Sequence, residues 1–359
     1  MHGVHLTGLS AHHQWSATHP ILHTPSGWGN NGTRRTLTTD AASPLKLTQA
    51  ARLKTVKGQN RNYLAHEYFN KDWQPMHFAT MAQWLAPAKI SYAGSAHYLD
   101  HVDPVNLTTE QQTLLKEIPD PLFRQTARDF MVNQQFRKDY WVKGARRLSK
   151  LEQSEALRAQ CLILVSPRAD VTLKVKGSVG EADLQDAIYS PILDALADHK
   201  PKSLGQLELA VKDKNVGWPQ LLQAVTILAG AGHLEAVQDE ATTTKARKYT
   251  DKLNAHLINR ARGSGDIDYL ASPVTGGGVT VGRVQQLFLL ALSQGKKQPA
   301  QLAKAAWTIF AEQQQKIVKD GKTLQTPEEN LAELTAQAQV FADKRLPILK
   351  ALQIVRRAG

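Results

Sequence analysis

Cysteine is all but absent, with Cys161 alone in 359 residues. An internal disulfide framework and any cysteine-built zinc site are therefore excluded. No run of about 18 apolar residues occurs, so the sequence offers no membrane-spanning helix. The amino-terminal stretch also lacks the apolar core of a secretory signal. Aromatic residues are scarce at 6%, although seven of them are tryptophan. There is no internal repeat and no sustained heptad pattern. A reducing, cytoplasmic setting fits these absences.

Acids and lysine are missing from the first 39 residues. His2, His5, His12, His13, His19 and His23 crowd this stretch instead, among Thr, Ser, Gly and Asn. Without helical or strand periodicity there is nothing to bury, and the segment reads as poorly ordered. Neutral imidazoles such as His12 and His13 are good zinc or nickel ligands. A short His-rich tract is a compositional signal only, and no metal site is assigned.

What remains is ample for folding. The hydrophobic content is 42%, enough for two or three ordinary domains. The net charge is +12 and the isoelectric point is near 9.6. Such a balance permits an acidic partner, and clustering of the charge decides whether one is implied. Arg137 to Arg147 is one cluster, with cations interleaved with Tyr140 and Trp141.

Periodicity and punctuation predict mostly helix. Pro75 opens a helix with Phe78, Met81, Ala82 and Leu85 on one face, and Pro87 stops it. Ile90 to Ala93 reads as a strand. Thr108 and Gln111 have the spacing of a capping box. Pro121 starts a helix with Phe123, Ala127, Phe130 and Met131 on one stripe. Cys161 to Val165 is a short buried strand. The alternation of Val171, Leu173 and Val175 predicts a half-exposed one, turning at Gly177 and Gly180. Helices starting at Pro191, capped at Ser203 and opening at Trp218, with a strand at Leu234 to Val237, resemble a winged helix. Later helices are expected over 284–292 and 299–319, and from Thr326 with Pro327 at the first position. Gly276, Gly277 and Gly278 read as a mobile loop. Pro273 spoils the strand that a cofactor-binding glycine turn would need before it.

The densest chemistry lies between Asn62 and Pro75. His66, Glu67, Tyr68, Asn70 and Trp73 are poor core material, because each polar head needs a buried partner. They suit a cleft, and Tyr92 is grouped with them. His66 and Glu67 have the chemistry of an acid and a base, or of a seat for a substrate ammonium. Tyr68, Tyr92 and Trp73 have that of an aromatic cage for a cation. The other reading is that these residues satisfy one another at a structural seam. No catalytic residue is assigned.

The words Tyr63-Leu64-Ala65-His66-Glu67-Tyr68-Phe69-Asn70, then Trp73, Pro75 and Phe78, then Ile90 to Ala96, resemble the methyltransferase regulatory domain. So does the stretch from Arg128-Asp129-Phe130 through Asn133 to Asp139 and on to Lys143 to Leu148. Relatives with this domain include bacterial protein-lysine methyltransferases that act on outer-membrane proteins. In them it follows a class I S-adenosylmethionine-binding domain, and a winged-helix region comes after it. Residues Ser190 to Glu240 and Leu270 to Gly278 are similar to those later parts.

The resemblance implies an α+β, mainly α fold. A disordered or remnant segment is expected over 1–58, a small α/β regulatory domain over 59–150 and a connecting β segment over 151–185. A winged-helix-like and helical domain follows over 186–359. The implied function is the regulatory and substrate-recognition portion of a protein-lysine methyltransferase. The sixty-odd residues before Tyr63 offer no strand leading into a glycine turn. The expectation is thus a truncated chain without its own catalytic domain, binding no S-adenosylmethionine alone. Its partners would be a protein substrate or a catalytic domain, and homodimerisation is compatible. The alternative is a winged-helix regulator of nucleic acid. From Trp218 to Ala231 there is no Lys or Arg, which argues against DNA reading by that helix.

Overall fold

The computed structural model describes residues 56–68, 71–72 and 74–355, with only the backbone of 67 and 68. The fold is α+β and mainly helical, and its strands form small antiparallel sheets. The chain divides into two compact units. One runs up to His97 and resumes over Leu107–Ala145. The other takes Tyr98–Asn106 and everything from Arg146 onward.

The first unit begins with α1 (Arg61–Tyr68), a stretch whose pattern fits helix and strand equally. Asn60 decides for helix, because its side-chain oxygen accepts from the Asn62 amide at 2.8 Å. Helix α2 (Phe78–Leu85) starts three residues after Pro75 and buries Phe78 and Ala82. Pro87 lies in the 3-10 turn that ends it. Strand β1 (Ile90–Ser95) follows. The expected capping box is formed by Thr108 and Gln111 at the head of α3 (Thr109–Glu117). Asp120 caps α4 (Pro121–Met131). Strand β2 (Asp139–Lys143) pairs antiparallel with β1, with a register shift between Tyr92 and Gly94. Leu107, Leu115 and Ile118 form a small core against Ala127, Met131 and Val132. The stripe expected on α4 is therefore split. Ala127 and Met131 pack on the core, while Phe123 and Phe130 are exposed, Phe130 lying 5.5 Å from the His77 ring.

The second unit has two cores. Helix α5 (Lys150–Ala159) is closed by a Ser149–Glu152 capping box. Strand β3 (Cys161–Leu164) is buried, as expected. Strand β4 (Lys174–Gly177) turns directly into β5 (Gly180–Asp183). The expected strand at Val171 is not formed, since Arg168–Asp170 is a 3-10 turn with Val171 as its cap. Helix α6 (Asp186–Ala195) begins before Pro191 and carries it inside. Strand β6 (Lys202–Ser203), α7 (Leu204–Ala210), α8 (Trp218–Gly230) and β7 (Leu234–Ala236) complete this part. The sheet order is β6-β3-β7. Residues Tyr98–Asn106 join this core through Val102 and Val105. Their seat demands a glycine, because a Cβ on Gly177 would lie 1.8 Å from the Val105 carbonyl oxygen.

The second core is built on α9 (Glu240–Arg260), the hairpin β8 (Tyr269–Ala271) and β9 (Gly278–Thr280), and α10 (Arg283–Ser293). It continues with α11 (Pro299–Glu312), β10 (Val318–Lys319), β11 (Lys322–Thr323), α12 (Pro327–Val340), a π-helical turn (Phe341–Arg345) and α13 (Leu346–Ala351). The glycine run is not a mobile loop but a tight turn. Ser272 N–H donates to Gly277 O at 2.9 Å, and Gly276 takes φ +73°. Helix α11 ends at Glu312, short of the expected 319, because Gln314 turns left-handed at φ 55°. The Ile317 amide is then taken by the Asn330 side-chain oxygen at 2.7 Å.

Asn330 is fully buried, and its amide nitrogen also donates to Thr326 O at 2.7 Å. Removing it orphans the buried Ile317 N–H, which costs about 1–3 kcal/mol. Asn330→Ala is expected to lower the urea-unfolding free energy of the second unit by about 1–3 kcal/mol. A loss below about 0.5 kcal/mol, the level of an ordinary surface change, would contradict this.

Candidate functional site

The polar centre of the first unit is Arg137, in the extended segment between α4 and β2. Its guanidinium is buried, with the side chain 7% exposed. Nη1 donates to Asp129 at 2.5 Å. Nε and Nη2 form a fork on the two oxygens of Asp139, at 2.8 and 3.0 Å. Nη2 also reaches the Tyr92 hydroxyl at 3.3 Å and Gln125 Oε1 at 3.5 Å. Positions 137, 139 and 141 alternate along extended chain, so Arg137, Asp139 and Trp141 share a side. Asp129 and Gln125 come from one face of α4, four residues apart.

Aromatic rings close the other side. Phe78 and Tyr92 meet edge to face at 4.8 Å. Trp141 lies 5.6 Å from each, stacked on Phe78 and tilted to Tyr92. The guanidinium carbon sits 4.3 Å from the Phe78 centroid and 5.6 Å from that of Tyr92. This is an aromatic cage holding a cation, and the cation is the chain's own. Tyr92 therefore sits in a cage, but its companions are Phe78 and Trp141.

The charges of Arg137 and, more weakly, of the buried Arg128 act on Asp129, and that of Asp139 opposes them. Burial pushes the Asp129 carboxyl up to about 6, and Arg137 recovers only part of that shift. Burial likewise raises the Tyr92 phenol. The Arg137 guanidinium is held charged, its desolvation outweighed by the hydrogen bonds it donates to Asp139 and the field of Asp129. With its donors engaged, Arg137 acts as a clamp between α4 and the β1–β2 ribbon and not as an open seat for an anion.

Of the other expected site residues, His66 is exposed on α1. Asn70 and Trp73 lie outside the described residues, as do the side chains of Glu67 and Tyr68. The structure therefore groups only Tyr92 with a polar centre. Arg137, Asp139 and Trp141 belong to the basic and aromatic cluster of the sequence, where nothing groups them with Asp129, Phe78 and Tyr92. The alternation of Arg137, Asp139 and Trp141 was the available signal. Among the described residues no group of three His, Cys, Asp or Glu could hold a metal ion. The His-rich stretch lies outside them.

The winged-helix expectation meets a different topology. After β7 the chain passes to Asp239, the N-cap of α9, and no hairpin wing intervenes. The strand between β6 and β7 is β3, which comes from upstream of the helices. Helix α8 spends its apolar side on the core through Leu221, Ala224, Val225, Ile227 and Leu228. Its Trp218 is capped by Arg158, 4.2 Å above the ring and paired with Glu208 at 2.7 Å.

Comparison with known proteins places the first unit. Residues 60–143 match the family described as a predicted methyltransferase regulatory domain. The chain is 39% identical over 303 residues to the uncharacterized protein sll1526 of Synechocystis sp., a match covering 84% of this chain and 59% of that protein. Its fold is similar to that of PKMT2 from Rickettsia typhi, solved in complex with AdoHcy. There the TM-score is 0.51 at 12% identity, over 86% of this chain and 65% of PKMT2. A second structure of PKMT2 gives 0.50 at 14% identity, over 88% and 64%. At these identities the likeness is one of fold. The chain thus spans less than two thirds of the length of the relatives it matches.

The raised Asp129 carboxyl has a signed consequence. At pH 5 the folded state holds a proton that the unfolded carboxyl, near 3.8, has released. The stabilisation is complete below pH 4 and is lost as pH rises through about 6. Urea unfolding of the first unit should show a loss on the order of 2 kcal/mol from this group across that window. Asp129→Asn should abolish that loss while keeping an acceptor for Arg137. Equal pH slopes for the two proteins would contradict the assignment.

Proposed function

We propose that this chain supplies the regulatory and substrate-recognition part of an S-adenosylmethionine-dependent methyltransferase of the protein-lysine type. The observation that carries this reading is the match of residues 60–143 to the methyltransferase regulatory domain. The fold shared with PKMT2 supports it.

Methyl transfer to lysine is a direct displacement. The neutral amine attacks the methyl carbon, the carbon–sulfur bond breaks, and the ammonium gives up its proton. Such a reaction depends on alignment of donor and amine more than on covalent chemistry. The class I donor site lies at the carboxyl ends of parallel strands, beside a glycine turn. Every strand pair among the described residues is antiparallel. In this reading the two described units hold the acceptor polypeptide or cover the donor domain, and the donor is bound elsewhere. His66, Glu67, Tyr68, Asn70 and Trp73 remain the proposed cleft-lining residues. Tyr92 contributes through its place in the Arg137 cluster.

The surface of the first unit suits contact with another protein. Trp84, Phe123, Tyr140 and Val142 are exposed on it, and large aromatic residues are favoured at interface centres. Tyr140 and Val142 alternate with Asp139 and Trp141 along β2, so they leave the ribbon on the side opposite the cage.

The test is a methylation assay with labelled S-adenosylmethionine and a lysine-rich polypeptide. The part of the Synechocystis protein that this chain does not match is supplied in trans as the candidate donor domain. The chain should stimulate transfer, and Trp84→Ala with Tyr140→Ala should reduce the stimulation about tenfold, the effect of losing one modest hot spot. Calorimetry should detect no S-adenosylmethionine binding to the chain alone. Tight binding, or stimulation indifferent to both substitutions, would overturn the reading.

A further inference from the structure

Helix α9 is the longest among the described residues, with 21 residues, or about 31 Å of rise. Its two sides differ sharply. Thr243 and Asn254 are buried, and Asn254 is bonded both ways to the Ala271 backbone at 2.8 Å. Leu257 and Ile258 pack on the large core. The opposite side is exposed and carries Lys245, Lys248, Tyr249, Lys252, His256 and Arg260. At 3.6 residues per turn these fall within a sector of about 120°. The helix's acids, Glu240 and Asp251, lie outside that sector.

Among the described residues most of the charge on this face is not consumed by ion pairs. Arg260 is paired with Asp266 at 2.5 Å. None of the three lysines makes an ion pair among the described residues. Lys248 instead lies 4.9 Å from the Tyr249 ring centroid. Tyr249 is 61% exposed, so the other face of a flat ring is presented between lysines. Cations interleaved with an open aromatic plane match the phosphates and bases of an unpaired strand.

We propose that the outward face of α9 is a binding surface for single-stranded nucleic acid. Lys245, Lys248 and Lys252 contact phosphates, and Tyr249 stacks on a base. A lipid surface fits less well, because interfacial helices bury a broad apolar face and that face of α9 is already packed in the core. Tyr249 and Leu253 are the exposed large apolar residues on the outward side. The proposal stands apart from the methyltransferase reading, because it needs no methyl donor. It also differs from recognition by α8, which carries no cation.

The test is fluorescence anisotropy of the full chain with a labelled oligonucleotide of about 20 nucleotides, long enough for one site, across a salt series. Binding should weaken with salt, with a slope near −2 on logarithmic axes from three cations at about 0.7 each. Reversing Lys245, Lys248 and Lys252 to Glu should weaken binding about tenfold or more and remove that slope. Tyr249→Ala should cost about fivefold or more and leave the slope in place. A control reversing Lys297, Lys304 and Lys322 keeps the same net charge as the test variant and should retain most of the affinity. Circular dichroism confirms that each variant is folded. Absence of binding, equal losses in test and control variants, or binding to anionic vesicles with none to the oligonucleotide would overturn the proposal.

Discussion

Arg137 and its two carboxylates are the interaction on which the first unit depends. Its hydrophobic core is small, resting on Leu107, Leu115 and Ile118, so apolar burial alone gives a modest stabilisation. The guanidinium ties α4, through Asp129 and Gln125, to the β1–β2 ribbon, through Asp139 and Tyr92. Removing one member of such a set leaves the others charged and buried, which costs about 3–5 kcal/mol. The arrangement gives a two-stranded ribbon a fixed geometry that two strands by themselves would lack.

The same interaction decides what this unit offers to a partner. Phe78 and Tyr92 offer ring faces to a cation, with Trp141 packed against both, but Arg137 occupies them. In the proposed reading, recognition falls to the surface of the unit, where Tyr140 and Val142 project from the ribbon. That division suits a domain of the methyltransferase regulatory kind. A surface that positions a polypeptide must be rigid, and the buried clamp supplies the rigidity.

Much of the local structure was legible in the sequence, because capping and proline signals act over a few residues. The Thr108–Gln111 and Thr326–Glu329 boxes form, and Ser203 caps α7. The helix starts at Pro121, Trp218 and Pro327 are where the residues placed them. What escaped depended on contacts distant in sequence. Phe123 and Phe130 fit an apolar stripe, yet the facing core takes only Ala127 and Met131. Ile317 fits the period of α11, but Asn330 captures its amide and draws it into a hairpin. The unit resembling a winged helix borrows its central strand from upstream, which no pattern within residues 190–240 announces. The candidate cage was recognised through Tyr92, but its other walls and its occupant came from Phe78, Trp141 and Arg137. Each of those is an ordinary residue until the fold assembles them.

The most direct test of this account is whether the cage is closed. Titration of the full chain with tetramethylammonium, followed by the indole N–H resonance of Trp141, reads the cage alone among the seven tryptophans. With Arg137 in place the resonance should show no saturable shift, whereas Arg137→Met should remove the resident cation and change the resonance before any ligand is added. A saturable shift in the unmodified protein would mean that the cage is open to an external cation, and would contradict the central role given to Arg137.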